Sequence, residues 1–319
     1  MVSEGAGRPR LEVQEMILPE PGGRRQEEDR MKKLAAAALP VLLACRAFAA
    51  EADIDTIARI TGLKPEVKNG VAKVSVPRSD IAVTVDGVKM QPFQGLTSWA
   101  AFQTSGKQTV VMGDLTLAED EVTPVMDAAL AGGLEVTALH NHFSFDRPRI
   151  LFMHIGGTGT AEQLATGVRK ALDAIKDARH GTPAESFGGP SVAGESSIDP
   201  KPLEAIFGAS GQAKDGMVKF VFGKKTRAHG TDLGAEMGVN TWAAFAGGAQ
   251  AAVVDGDFAM LESELQNVLK ALRAAKINVV AIHSHMTHEE PRILFLHFWG
   301  KGPAEELARG IKAARATQQ

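Results

Sequence analysis

The chain has 319 residues, enough for two modest domains with a buried core in each. Its formal net charge of -3, with aromatic residues at 5% and no tyrosine, offers a nucleic-acid partner neither a basic surface nor rings to stack on. Cys45 is the only cysteine, so an intramolecular disulfide and a thiolate metal site are excluded, and any metal must be held by nitrogen and oxygen ligands.

Residues 1–30 are polar, rich in Gly, Arg and Glu, and lack a periodicity that would bury a face. They read as a disordered tail or as an extension upstream of a true start at Met31. Residues 31–50, "MKKLAAAALPVLLACRAFAA", carry Lys32 and Lys33, an apolar run and a small-residue exit, the pattern of a secretory signal peptide. The run is too short to span a bilayer, which takes about 20 residues. Two cleavage readings stand side by side. "LLAC" resembles a bacterial lipobox, which would put a lipid on Cys45 and attach the protein to a membrane, whereas "AFA" before Ala50 suits ordinary signal peptidase. Either way the expectation is a periplasmic or secreted protein.

Beyond residue 50 the chain is written twice. "LTSWAAFQTSGKQTVVMGDLTLAEDEVTPVMDAALAGGLEVTALHNH" lies over "VNTWAAFAGGAQAAVVDGDFAMLESELQNVLKALRAAKINVVAIHSH" without a gap. At that offset Trp99 falls on Trp242, Asp114 on Asp257, and His140, His142, Pro148, Arg149 and His154 on His283, His285, Pro291, Arg292 and His297. An internal duplication follows, with a first unit at 51–178, a Gly/Pro/Ser-rich linker at 179–198 and a second unit at 199–319.

In chain order, "VAKVSV" and "IAVTV" alternate as strands, with Asp86-Gly87 as a turn. "WAAF" and "QTVVMGDLTL" predict a second strand pair. Glu119 to Ala131 places Val122, Val125, Met126 and Ala129 at helical spacing behind an acidic first turn, and Gly132 and Gly133 stop the helix. "EVTALHNHF" and "RILFMHI" predict strands joined through "SFDRP". Thr160, with Gln163 three residues on, caps a last helix lined by Leu164, Val168, Leu172 and Ile175; the second copy has Gly302 and a first-turn Pro303 instead. The expected fold class is α+β, two homologous tandem repeats, each an antiparallel-rich sheet with two helices.

Residues two apart in a strand share a face, so His140 and His142 project together. If the hairpin turns about Arg147, His140 sits opposite His154 and three imidazoles converge; a one-residue slip would send His154 to the other face. The same holds for His283, His285 and His297. Three imidazoles with an open fourth position suit a divalent transition metal, zinc first, with copper, nickel or iron as alternatives. Asp146 in the first copy, and His288, Glu289 and Glu290 in the second, lie in the connecting loops as auxiliary ligands or a general base. The bland reading is a set of neutral imidazoles hydrogen-bonded to backbone or carboxylates.

Arg149 and Arg292 read either as an anion clamp or as ion-pair partners of Asp146 or Glu289. Asp114 and Asp257, each after Gly, either cap a turn or approach the histidines, and the turn reading is preferred. Trp99 and Trp242 are expected in the core, and His180 and His229, without counterparts, on the surface. "GGTGT", Gly156 to Thr160, precedes a helix and would receive a phosphate, but no Walker lysine follows. The letters "HNH" at 140–142 lack the span of the nuclease finger. "IHSH" is similar to the His-x-His of JAMM metalloproteases, with Met286 in place of the proline and His297 near the position of the Asp ligand.

"VTALHNHF…PRILFMHIGGTG…LATGVRKAL" and "VVAIHSHM…EEPRILFLHFWGKG…LARGIKAA", with "ARITGLKPEVKNGVAKVSVPR" and "GLTSWAAF", resemble the LppY/LpqO-like family of bacterial secreted proteins and lipoproteins. The resemblance implies export and tandem units and supplies no reaction. Ser284 stands where the first copy has Asn141, a departure that touches no candidate ligand. The leading expectation is an exported protein whose two three-histidine clusters bind a transition metal and, if the two sheets pack face to face, line one cleft. A non-enzymatic small-anion or small-molecule module and a metallohydrolase are the alternatives.

Overall fold

The computed structural model describes residues 53–106 and 108–318. The segments read as residues 1–30 and as a signal peptide at 31–50, Cys45 included, lie outside the described residues. The first copy runs α1 (53–61), β1 (Glu66–Lys68), β2 (Val71–Pro77), β3 (Thr84–Val85), β4 (Val88–Lys89), β5 (Thr97–Ser105), β6 (Gln108–Ala118), α2 (Glu119–Ala131), β7 (Glu135–His140), β8 (Asp146–Arg147), β9 (Ile150–Gly159) and α3 (Ala161–His180). The second runs α4 (Pro200–Phe207), β10 (Gln212–Lys214), β11 (Met217–Gly223), β12 (Thr226–Ala228), β13 (Thr231–Leu233), β14 (Asn240–Gly247), β15 (Ala252–Leu261), α5 (Leu265–Ala274), β16 (Asn278–His283), β17 (Glu289–Glu290), β18 (Ile293–Gly302) and α6 (Ala304–Arg315). The antiparallel sheet and two helices per copy are as expected, and a third, shorter helix, α1 or α4, precedes each.

The two sheets do not pack face to face. They join edge to edge into one 12-stranded sheet, β1-β2-β5-β6-β9-β7-β16-β18-β15-β14-β11-β10, through the antiparallel pair β7–β16. At that seam Leu139 pairs with Ile282, its own equivalent in the duplication, so the copies are related as in an isologous dimer, by a local twofold through the seam. The helix layer crosses the same line. Gln266 of α5 accepts from Val136 N at 3.0 Å and donates to Val136 O at 2.9 Å, and Thr123 of α2 donates to Asn278 Oδ1 at 3.3 Å.

All helices pack on one face, where alternate strand residues such as Phe102, Val111, Leu115, Phe245 and Phe298 meet Val125, Met126, Val168, Leu269 and Ile311 in a continuous core. Thr160 caps α3 as predicted, its Oγ1 accepting from Gln163 N at 3.2 Å. Pro303 stands at the N-cap of α6, one position before the predicted first turn, because β18 continues to Gly302. In α2 the cap comes from Glu121, whose carboxylate accepts from Ala118 N at 2.8 Å.

On the other face each copy carries a small cap. Only Thr84–Val85 of the predicted "IAVTV" strand forms, and it belongs to a separate sheet, β4-β3-β8, its Asp86-Gly87 turn at φ 51° and 77°; β13-β12-β17 is the second cap. Under the caps lie two small cores, Val83, Leu96, Ile150 and Phe152 in the first copy and Val239, Ala259, Ile293 and Phe295 in the second. "GGTGT" is no phosphate loop: Gly156 to Gly159 complete β9 and pair with Thr109 to Met112 of β6.

Candidate metal centres

Strand register builds each cluster. In the first copy Trp99, Asp114, His154 and Ala138 stand side by side across β5, β6, β9 and β7, so all face the cap side of the sheet. His140, two residues beyond Ala138, joins them and pairs with Phe152 instead of the predicted His154. The register therefore differs by two residues from a hairpin about Arg147, which preserves the face and keeps the imidazoles together. His142 has left the strand, and its ring lies flat on Phe152, centroids 3.3 Å apart. His285 lies the same way on Phe295 at 3.5 Å, so each cap core acts as the rest for the loop histidine.

The clusters are similar without being identical. In the first, one ligand atom each of His140, His142 and His154 lie within 4.8 Å of one another, and Asp114 Oδ2 stands 3.9 Å from His142 Nε2 and 3.8 Å from His154 Nε2. In the second, the converging group is Asp257, His283 and His285: Asp257 Oδ2 is 3.3 Å from His285 Nε2 and 3.9 Å from His283 Nε2, and the two Nε2 atoms are 3.1 Å apart. His297 stacks on His283 at 4.7 Å with its Nδ1 3.3 Å from Gly256 O, which leaves Nε2 as its ligating atom. The expected three-histidine group is thus met in the first copy, and in the second an aspartate joins two of the three.

These aspartates are not turn residues. Asp114 and Asp257 sit inside long strands, opposite His154 and His297. The glycine before each, which suggested a turn, answers a packing need. A Cβ on Gly113 would lie 2.7 Å from Trp99 O, and one on Gly256 2.2 Å from Phe298 Cζ. Asp114 and Asp257 are both buried, and Oδ1 of each is enclosed without a donor among the described residues. Nδ1 of His283 is enclosed in the same way. An orphaned carboxylate oxygen costs free energy unless something takes it up.

Burial sets the protonation. It pushes the His283 imidazole down to about 4, with His297 and His285 adding to the effect. It also lowers His142, with His140 and His154 adding and Asp114 opposing. Burial raises the Asp257 carboxyl, opposed by His297 and His285. His283 is therefore neutral across the physiological range, the form that ligates metal. A tetrahedral centre with bonds of about 2.0–2.1 Å holds its ligand atoms roughly 3.3 Å apart. The second cluster has contacts of 3.1 and 3.3 Å, while in the first the aspartate stands 3.8 and 3.9 Å from its imidazoles. Three imidazoles and a carboxylate fit zinc, copper, nickel or iron.

The auxiliary residues lie elsewhere. Asp146 Oδ2 accepts from Ile150 N at 2.7 Å and Glu289 Oε1 from Ile293 N at 3.2 Å, so these carboxylates brace their own loops. Glu290 pairs with Arg227 in the second cap, and His288 meets the exposed His229 edge to face at 5.8 Å. His180 is exposed at the end of α3. Among the described residues Arg149 forms no ion pair with Asp146 or Glu289; it reaches Glu119 at 3.9 Å with both side chains about two-thirds exposed. Arg292 lines a groove of about 710 Å³ with Glu135, Glu262 and Gln266. The tryptophans are not core residues. Trp99 and Trp242 stand half-buried on the cap face, with Lys73 Nζ 4.4 Å and Lys219 Nζ 4.2 Å from the ring centroids.

Fold and clusters together define a duplicated α+β protein with a histidine–aspartate constellation in each copy. The chain belongs to the family described as Domain of Unknown Function (DUF1259), whose model matches residues 55–174 and again 201–317. No curated protein matches the sequence. Among solved structures it is similar to the trimeric bacterial microcompartment shell protein PduB, at 14% identity over 80% of this chain and 90% of that one, TM-score 0.20. It is also similar to EtuB from Clostridium kluyveri, at 11% identity over 79% and 88%, TM-score 0.22. At such TM-scores neither likeness bears on the assembly or activity of this chain.

Proposed function

We propose that this is an exported protein, periplasmic, secreted or lipid-anchored through Cys45, that binds a divalent transition metal in each repeat, zinc being the first candidate. The first set of ligands is His140, His142, His154 and Asp114; the second is His283, His285, His297 and Asp257. One observation carries the reading. In both copies a buried aspartate stands in strand register with imidazoles, its Oδ2 3.3–3.9 Å from their Nε2 atoms.

When bound, such a metal supplies Lewis acidity or a nucleophilic oxygen. The protein's own part is to lower the pKa of His283 and His142 by burial and to seat the loop histidines on Phe152 and Phe295. The test is elemental mass spectrometry on the untagged chain beside the His142→Ala/His285→Ala variant. Stoichiometric metal in the parent and its loss in the variant are expected. A parent that stays empty after incubation with zinc, copper, nickel and iron would overturn the reading.

A further inference from the structure

Beside each cluster the duplication has kept a second pair that the metal reading leaves unused. Trp99 stands next to Asp114 in the cross-strand row, and Lys73, one strand farther out on β2 and diagonal to Trp99, lays its ammonium over the indole at 4.4 Å. Trp242, Asp257 and Lys219 repeat the arrangement residue for residue, at 4.2 Å. Both lysines are exposed, and among the described residues no carboxylate ion pair is seen for either ammonium. A cation held in place by an aromatic ring, on the same face as the ligands and two strand spacings, about 10 Å, from the strand that carries the aspartate, is a seat for an anion.

The copies diverge around this seat. In the first, the next row holds Met112, 63% exposed, and then Gly156, which has no side chain to stand on the face; Glu135 follows four strands away from Lys73. In the second, the equivalent positions are Asp255 and Trp299, so a carboxylate lies two strands from Lys219 and an indole fills the strip beside His297. The first copy therefore offers an open approach between the lysine and the ligands, lined by Met112 and Gly156, with Glu66 the cross-strand neighbour of Lys73 on the side away from them. In the second, Asp255 and Trp299 stand in that approach, and Gln212 takes the place of Glu66.

Resting on the metal reading, we propose that the Lys73–Trp99 pair seats the acid group of a small organic acid whose other end reaches the metal at His140, His142, His154 and Asp114. The second copy does not take it. The metal supplies one anchor, Lys73 the other, and the indole edge and Met112 the apolar floor between them.

The probe is succinate, a dicarboxylate with an acid group at each end, titrated calorimetrically into metal-loaded and metal-free full-length chain. Parallel titrations use Lys73→Met and Lys219→Met, with metal content measured on each sample. Both lysines are exposed, so both variants should fold and keep their metal. Binding by the loaded parent, about tenfold weaker in Lys73→Met and within about twofold of the parent in Lys219→Met, is expected. No succinate binding by loaded protein, or equal losses in the two variants, would overturn the proposal and leave the metal reading standing. Lys73-dependent binding by a chain that takes up no metal would overturn the metal reading and the joint anchoring while keeping the seat.

Discussion

The two copies solve one structural problem with different materials. In the first, the buried Glu121 that caps α2 is gripped by Arg78 at 2.7 and 2.8 Å and by Arg179 at 2.7 Å, while the cluster above is loose, with Asp114 nearly 4 Å from its histidines. In the second, Glu264 caps the same turn, accepting from Leu261 N at 2.7 Å, and its partners include Lys224 at 2.6 Å and Gln318 at 3.2 Å, while the cluster closes to 3.3 Å between Asp257 and His285. What survives in both is set by backbone register: aspartate opposite histidine, tryptophan beside aspartate. What differs is set by side chains, and there each copy has taken its own course.

The largest effect should separate the copies at the capping glutamates. Glu121→Ala leaves Arg78, 3% exposed, with a buried charge compensated, among the described residues, by Asp80 and the Thr116 carbonyl. Breaking a buried pair in this way costs about 3–5 kcal/mol. Glu264→Ala leaves Lys224, 21% exposed, which water can reach, and the expected cost is about 1–3 kcal/mol. Denaturant unfolding of both variants measures this directly. Equal costs would mean that the guanidinium grip is no tighter than the ammonium one.

A middle-sized effect tests the seam. Gln266 satisfies both backbone groups of Val136 across the local twofold, whereas its equivalent Thr123 makes one long bond. Gln266→Ala should cost about 1–3 kcal/mol and Thr123→Ala under about 1 kcal/mol. Differential hydrogen exchange, with loss of protection at Val136 confined to the first variant, is the sharper readout. If protection along β7 is unchanged, the sheet pairing alone holds the copies together.

Much of this was legible in the sequence because duplication doubles weak signals. Strand alternation and the Thr160 cap placed the sheet and the helices, and the even spacing of His140, His142 and His154 placed them on one face. The aspartates were misread for a definite reason. A Gly-Asp pair suggests a turn, and only the side chains opposite, Ile155 and Phe298, show that the glycine makes room inside a strand. The tryptophans were misassigned because "WAAF" is apolar on both faces, and the second face is covered by the cap only in part. The edge-to-edge seam left no mark in either repeat, since it depends on one residue pairing with its own equivalent.

The smallest effect concerns acid stability of the metal-free protein and again sets copy against copy. His283 has its pKa pushed from 6.5 to about 4 by burial beside His297 and His285. Between those values the unfolded chain takes up a proton that the folded one refuses, so stability falls as pH drops from about 6.5 to 4 and this loss levels off below. Asp257 works the other way. Its raised pKa lets the native state bind a proton first and returns part of the loss at the acid end. His142 shares the sign of His283. The His283 side chain is 29% exposed, so screening keeps the slope shallow. His283→Gln should flatten the profile of midpoint against pH more than His142→Gln does, followed by thermal unfolding at half-unit steps. If the two variants flatten it alike, the second cluster is no better shielded from water than the first, and its closer spacing has not changed how its imidazoles meet protons.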